Sequence, residues 1–175
     1  MGTLFAIHVR APESATLAGR LAHHGTLLAD APSEFATVEL SRYDRPTDGD
    51  LAELAVLSAE LDTDILWLGY SSVSEAFRYH HWRSGRPVRA LAFGWFGSER
   101  VWDFVEGDPE PWEGAAFFHW SALENLPRPA DEAERAELRH MLDRGEVRAG
   151  LTFPSVDALV SARMVGEYFG LLGWV

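Results

Sequence analysis

The sequence predicts an α+β fold: a central antiparallel or mixed β-sheet with a long hairpin, helices packed on it, and two C-terminal helices. Three observations carry the prediction. Strand-like and helix-like segments alternate in the first third of the chain, a run of adjacent strand-like segments fills the middle, and two helical patterns follow Pro127 and Pro129. At 175 residues the chain fits one domain that buries roughly 70% of its unfolded surface. We read it as 1–175, with an α+β core over 1–126 and a C-terminal helical pair over 127–175.

Thr3 to Arg10 reads as the first strand, broken by Ala11-Pro12. Ser14 to His24 follows as a helix with Leu17 and Leu21 on one face, and Gly25 is placed to end it. Glu34 to Tyr43 alternates Phe35, Thr37 and Glu39 against Ala36, Val38 and Leu40, as a strand does. Asp50 with Glu53 makes a capping-box pattern for a helix carrying Leu51, Leu54, Ala55, Ser58 and Leu61, which Asp62-Thr63-Asp64 closes. The apolar run Ile65-Leu66-Trp67-Leu68 reads as a buried central strand.

Residues 72–85 admit two readings: a helix capped by Ser72 to Glu75, or a strand from Ala76 to Arg83. Aromatic content and the two-residue Ser84-Gly85 turn favour a hairpin with a partner strand over Arg86 to Phe96. Gly97-Ser98 marks a further turn before a strand over Val101 to Glu106. Pro109 and Pro111 make Glu106 to Gly114 an irregular loop, and Ala115 to Trp120 returns to the sheet. Asp131 with Glu134 caps a helix to about Arg144, and Ser155 begins a last helix carrying Val156, Leu159, Val160, Met164 and Tyr168.

Composition excludes several classes. There is no cysteine, hence no disulfide, thiolate metal site or cysteine nucleophile. A net charge of −12 argues against nucleic-acid binding, which needs clustered positive charge, and favours basic partners. No apolar run approaches a membrane span and Leu4 to Val9 lacks the features of a signal peptide, so a soluble cytoplasmic protein is the default reading.

Two segments carry the site candidates. Six of the seven tryptophans fall between Trp67 and Trp120, interleaved with arginine and histidine as in Phe77-Arg78-Tyr79-His80-His81-Trp82-Arg83. With Ser84-Gly85 as the loop, regular pairing sets Arg83 opposite Arg86, His80 opposite Arg89 and Arg78 opposite Leu91. Phe77, Tyr79, His81, Val88, Ala90 and Ala92 then share one face, and Arg78, His80, Trp82, Arg89, Leu91, Phe93 and Trp95 share the other. Arg78, His80, Trp82, Arg89 and Trp95 form a mixed cationic and aromatic surface suited to a small anionic ligand. The second candidate is the stiff acidic segment with Glu106, Asp108, Glu110, Trp112 and Glu113, suited to anchoring a basic protein.

Other patterns fall short. His80 and His81 point to opposite faces of a strand and cannot share an ion, and His23-His24 is explained by the dipole at a helix end, so no metal and no cofactor is expected. Gly69-Tyr70-Ser71-Ser72-Val73 approaches the Gly-x-Ser-x-Gly elbow, but Val73 stands where the second glycine is needed. The expectation is a small acidic binding protein without catalytic activity, such as an adaptor, inhibitor or immunity-like protein. The alternative is an enzyme or sensor for a small anionic ligand. A homo-oligomer formed through the apolar tail Phe169 to Val175 is a further reading.

Overall fold

The computed structural model describes residues 2–10, 14–28, 33–41, 45–96, 99–117, 132–150 and 157–171. In chain order these form β1 (Thr3–Arg10), α1 (Ser14–Leu21), β2 (Gly25–Leu28), β3 (Phe35–Leu40), α2 (Asp48–Leu61), β4 (Asp64–Ser71) and β5 (Ala76–Arg83). There follow β6 (Arg86–Phe96), β7 (Glu99–Gly107), α3 (Pro111–Phe117), α4 (Glu132–Arg144) and α5 (Ala158–Phe169). The strands make one sheet in the order β2-β3-β1-β4-β5-β6-β7, with every neighbouring pair antiparallel. The fold is α+β, with helices on both faces of the sheet.

The sheet is buried on both sides because its central strands are apolar on both sides. Ile7, Val9, Ile65 and Trp67 join Leu17 and Leu21 of α1 and Leu54 and Leu57 of α2 in one cluster. Ala6, Leu66, Leu68, Phe77 and Tyr79 join Trp112 and Phe117 of α3, Leu138 and Met141 of α4, and Ala162 and Val165 of α5 in the other. This is why β4 reads as a continuous apolar run rather than an alternation. β3 and β4 flank β1 and run parallel to each other, so their connection needs a crossover, which α2 supplies.

Local chemistry departs from the sequence expectations at several points. The capping box of α2 sits one turn earlier than Asp50 with Glu53: Thr47 is the N-cap and Asp50 the N3 partner, with Thr47 N–H donating to Asp50 Oδ2 at 2.7 Å. α1 ends at Leu21, and Gly25 opens a strand rather than closing a helix. A Cβ there would lie 1.8 Å from the carbonyl oxygen of Glu39 on β3, so the backbone approach requires glycine. The hairpin reading of 72–85 holds, and Ser84 (φ 50°) and Gly85 (φ 79°) turn it with two positive φ values, matching the strand twist.

The acidic segment is not an irregular loop throughout, nor does Ala115 begin a strand: α3 starts at Pro111. Proline lacks only an N–H that the first helical turn leaves unpaired anyway, and its fixed φ suits that position. Residues 118–120 lie outside the described residues, as do Asp131, Ser155 and Val156. Asp157 caps α5, accepting from the N–H groups of Leu159 and Val160.

The register of the hairpin is the consequential difference. Arg83 does face Arg86, but Trp82 faces Pro87 and His81, not His80, faces Arg89. Arg78 faces Ala92 rather than Leu91. Val88 is the extra residue of a β-bulge, and it follows Pro87, whose missing N–H cannot serve a regular ladder. A second bulge in β7, at Asp103, lies between the pairs Ala92 with Phe104 and Phe93 with Trp102. One extra residue inverts every later side chain, so Arg89 and Leu91 move to the face of Tyr79 and His81.

Candidate functional site

The two faces of β5–β7 hold different polar chemistry. On the α3 side, Phe77, Tyr79 and Leu91 surround a closed network of buried charge. His81 Nε2 lies 2.9 Å from Asp64 Oδ1 and its Nδ1 lies 2.8 Å from Glu110 Oε1. The Tyr79 hydroxyl donates to Glu110 Oε2, and the Trp112 indole N–H donates to the same oxygen at 3.3 Å. Arg83 Nε and Arg10 Nη1 complete Asp64 at 2.7 and 2.9 Å.

Beside it, Arg89 grips Glu113 with two N–H···O bonds of 2.8 and 2.7 Å, and Glu113 Oε1 accepts the backbone N–H of Glu110 at 2.9 Å. The same guanidinium donates to the Gly107 carbonyl at 2.5 Å. Burial alone would raise the carboxyls of Asp64 and Glu110. Hydrogen bonds from Arg83 and His81 outweigh it at Asp64, and hydrogen bonds from His81, Tyr79 and Trp112 outweigh it at Glu110, so both sit below the ordinary range. At Glu113 burial wins over Arg89 and the carboxyl is pushed up. Burial next to Glu110 carries the Tyr79 phenol well above its ordinary value. Every charged group of this network is held by an opposite charge, so it specifies packing and leaves no coordination to offer a ligand.

The α2 side is open. Arg78, His80 and Trp82 project from β5 toward Asp103 and Phe104 of β7. His80 stacks on Trp82 with ring centroids 5.6 Å apart and meets Phe104 at 5.3 Å. Burial, reinforced by Arg78, depresses His80 to about 4, so it is an uncharged ring at neutral pH. The Arg78 side chain is only 13% exposed, yet its nearest described carboxylate oxygen, Asp103 Oδ2, lies 3.8 Å away. Arg45 Nη2 lies 2.7 Å from that same oxygen, an ion-pair contact that is not aligned as a hydrogen bond. Burial and the neighbouring Arg45 both depress Arg78 from its ordinary value. A guanidinium carries five donors, and among the described residues none of those of Arg78 makes a hydrogen bond.

Two adjoining hollows occupy this face. One of about 120 Å³ is lined by Arg45, Arg78, Trp95 and Asp103, and one of about 320 Å³ by Leu51, His80, Trp82, Pro87, Phe104 and Glu106. Trp95 stands at the rim, 56% exposed.

The five residues expected to share one surface are therefore divided. Arg78, His80 and Trp82 meet on the α2 side, Arg89 lies on the opposite face in its pair with Glu113, and the same shift turns Trp95 to the face of Phe93, although it still lines the edge of the hollow beside Arg78. Of the acidic segment, Glu106 and Asp108 are exposed, whereas Glu110, Trp112 and Glu113 are buried. Arg45, Asp103 and Phe104 complete the groove without a sequence signal, because a loop and a bulge deliver them. Gly69 to Val73 leads from strand to turn to strand, so no nucleophile elbow forms. Gly69 has a packing reason instead: a Cβ would lie 2.0 Å from the Phe5 ring. Phe169 and Leu171 belong to the core, and residues 172–175 of the tail lie outside the described residues. Among the described residues no helix is long and apolar enough to cross a membrane.

Comparison with known proteins adds no relative: no family model, no curated protein and no solved structure matches this chain.

Proposed function

We propose that this chain is a binding protein for a small anionic molecule, carboxylate or phosphate, seated against Arg78 in the groove on the α2 side of β5–β7. One observation carries the reading: a nearly buried guanidinium whose closest described carboxylate oxygen is 3.8 Å away and shared with the Arg45 guanidinium. Its nitrogens open onto the hollow rather than being sealed in the protein, so a ligand oxygen can reach them and form charge-assisted hydrogen bonds. Among the described residues lining the groove no nucleophile and general base are in hydrogen-bond contact, which supports binding or sensing over catalysis. Exposed Trp95 at the rim suits a ligand with a flat apolar portion beside its anionic group.

Calorimetric titration of the full chain with inorganic phosphate and with benzoate tests this. Saturable binding of either, weakened at least tenfold in Arg78→Ala and unchanged in Arg148→Ala, whose guanidinium faces Glu137 on α4, is the expected result. Equal affinity in wild type and Arg78→Ala, or no saturable binding of either probe, rejects it. The second reading is an adaptor or inhibitor for a basic protein, supported by the charge of −12 and by exposed Glu106 and Asp108. It ranks lower because Glu110, Trp112 and Glu113 are engaged inside the protein.

A further inference from the structure

Beside this groove, in a hollow that shares Arg45 with it, the turn between α1 and β2 brings three metal-ligating side chains together. His23, His24 and Glu53 each place one ligand atom so that all lie within 4.8 Å of one another. His23 Nε2 is 3.1 Å from Glu53 Oε2, and His24 Nε2 is 3.3 Å from the same oxygen. A tetrahedral ion with bonds of roughly 2.0–2.1 Å sets its ligands about 3.3–3.4 Å apart, so these separations are close to the edges of a zinc-type coordination shell.

The local fold explains how neighbours in sequence converge. His23 and His24 sit in a tight turn, not a strand, and the backbone of His24 is pinned from both sides: its N–H donates to Leu21 O at 2.9 Å, and its carbonyl accepts from Ser41 N at 3.1 Å. Glu53 comes from the second turn of α2. Because the capping box uses Thr47 and Asp50, the Glu53 carboxylate is not needed at the helix terminus and turns to the histidines.

A second observation points to a missing ligand. The His24 side chain is only 7% exposed, yet its Nε2 is buried without a hydrogen bond, since the contact with Glu53 is misaligned for one. Trp67, whose buried indole N–H also lacks a described partner, lines the same hollow of about 280 Å³ with His23, His24, Arg45, Thr47 and Asp50. Asp50 Oδ1 lies 3.8 Å from the other nitrogen of His24, too far for a hydrogen bond but near enough to add negative charge beside the imidazole.

We infer that His23, His24 and Glu53 bind a zinc-class divalent ion, with Asp50 adding negative charge beside His24 and the fourth coordination site open to the hollow. Two imidazoles and one carboxylate with an open position suit Zn²⁺, Co²⁺ or Ni²⁺ rather than Ca²⁺ or Mg²⁺, which prefer all-oxygen shells. The indole N–H of Trp67 and the Arg45 guanidinium border that position and suit a metal-bound hydroxide or anion.

The test is calorimetry of the untagged full chain with Zn²⁺ after dialysis against chelator, with Co²⁺ absorption reporting the geometry. One ion per chain is expected, with tetrahedral-type visible bands for Co²⁺. His23→Ala at an exposed position and Glu53→Gln at a half-buried one should each weaken binding at least a hundredfold, Asp50→Asn about tenfold, and His140→Ala on α4 not at all. Circular dichroism in chelator confirms that each variant is folded. Absence of one-to-one binding, or binding that survives His23→Ala and Glu53→Gln, overturns the inference. Phosphate binding at Arg78 is read separately, so failure here leaves that reading standing and the reverse holds too.

Discussion

His80 and His81 are neighbours on one strand, yet they enter opposite chemistries. His81 lies on the α3 side between two carboxylates, within a network where every charge has an opposite charge at hydrogen-bond distance. His80 lies on the α2 side between aromatic rings, next to an arginine short of partners. The comparison teaches where to look for function in such a sheet. Closed pairing on one face builds a rigid platform, and incomplete pairing on the other leaves binding capacity.

The largest expected effect breaks the closed side. Glu113→Ala leaves Arg89 buried without its carboxylate and should cost about 3–5 kcal/mol in urea unfolding. A loss under about 1 kcal/mol would mean that the pair is not the anchor described here.

Acid separates the two faces by the order in which they fail. The folded-state value of His80 is depressed to about 4, and that of fully buried His8 to about 3, both by burial. The unfolded chain binds protons at these residues from about pH 6.5 downward, so their contribution is complete above that pH and lost as pH falls toward 4 and 3. Asp64 and Glu110 are also depressed, so their contribution is lost only as pH falls below the ordinary carboxylate range. Stability measured by urea unfolding should decline between pH 6.5 and 4, and His80→Gln should remove on the order of 3 kcal/mol of that decline. An unaltered slope in the variant would place His80 in a wetter setting than this groove.

A smaller effect tests the bulge that assigns Arg89 to its face. Gly107 pairs with Arg89 at φ +80°, and a Cβ there would lie 2.1 Å from the carbonyl oxygen of Val88. Gly107→Ala should cost about 2 kcal/mol through strained backbone and displacement of the bulge. The smallest effect on stability belongs to the open side: Arg78→Ala should change unfolding by about 1 kcal/mol or less while removing anion binding. If it destabilises as much as Glu113→Ala, the Arg78 pairing is complete and the two faces do not differ.

Much of the architecture was legible in local pattern. The apolar run around Trp67, the helical spacing of Leu51, Leu54 and Leu61, and the turn pair Ser84-Gly85 each specify an element through neighbours a few residues away. What escaped was register and convergence. Asp50 with Glu53 matches a capping box as well as Thr47 with Asp50 does, and only the helix start decides which carboxylate turns to His23 and His24. Regular pairing through Pro87 missed the bulge at Val88, and that one-residue phase places Arg89 beside Glu113 instead of Arg78. The sequence by itself therefore determined most of the elements, though not β2 or α3, together with the acidic balance and the aromatic middle, because propensity and periodicity act over short spans. Tertiary structure alone decided which charges are closed and which stay open. That depends on one-residue shifts in pairing and on the approach of segments far apart in the chain, such as Glu53 to His24 and Asp103 to Arg78.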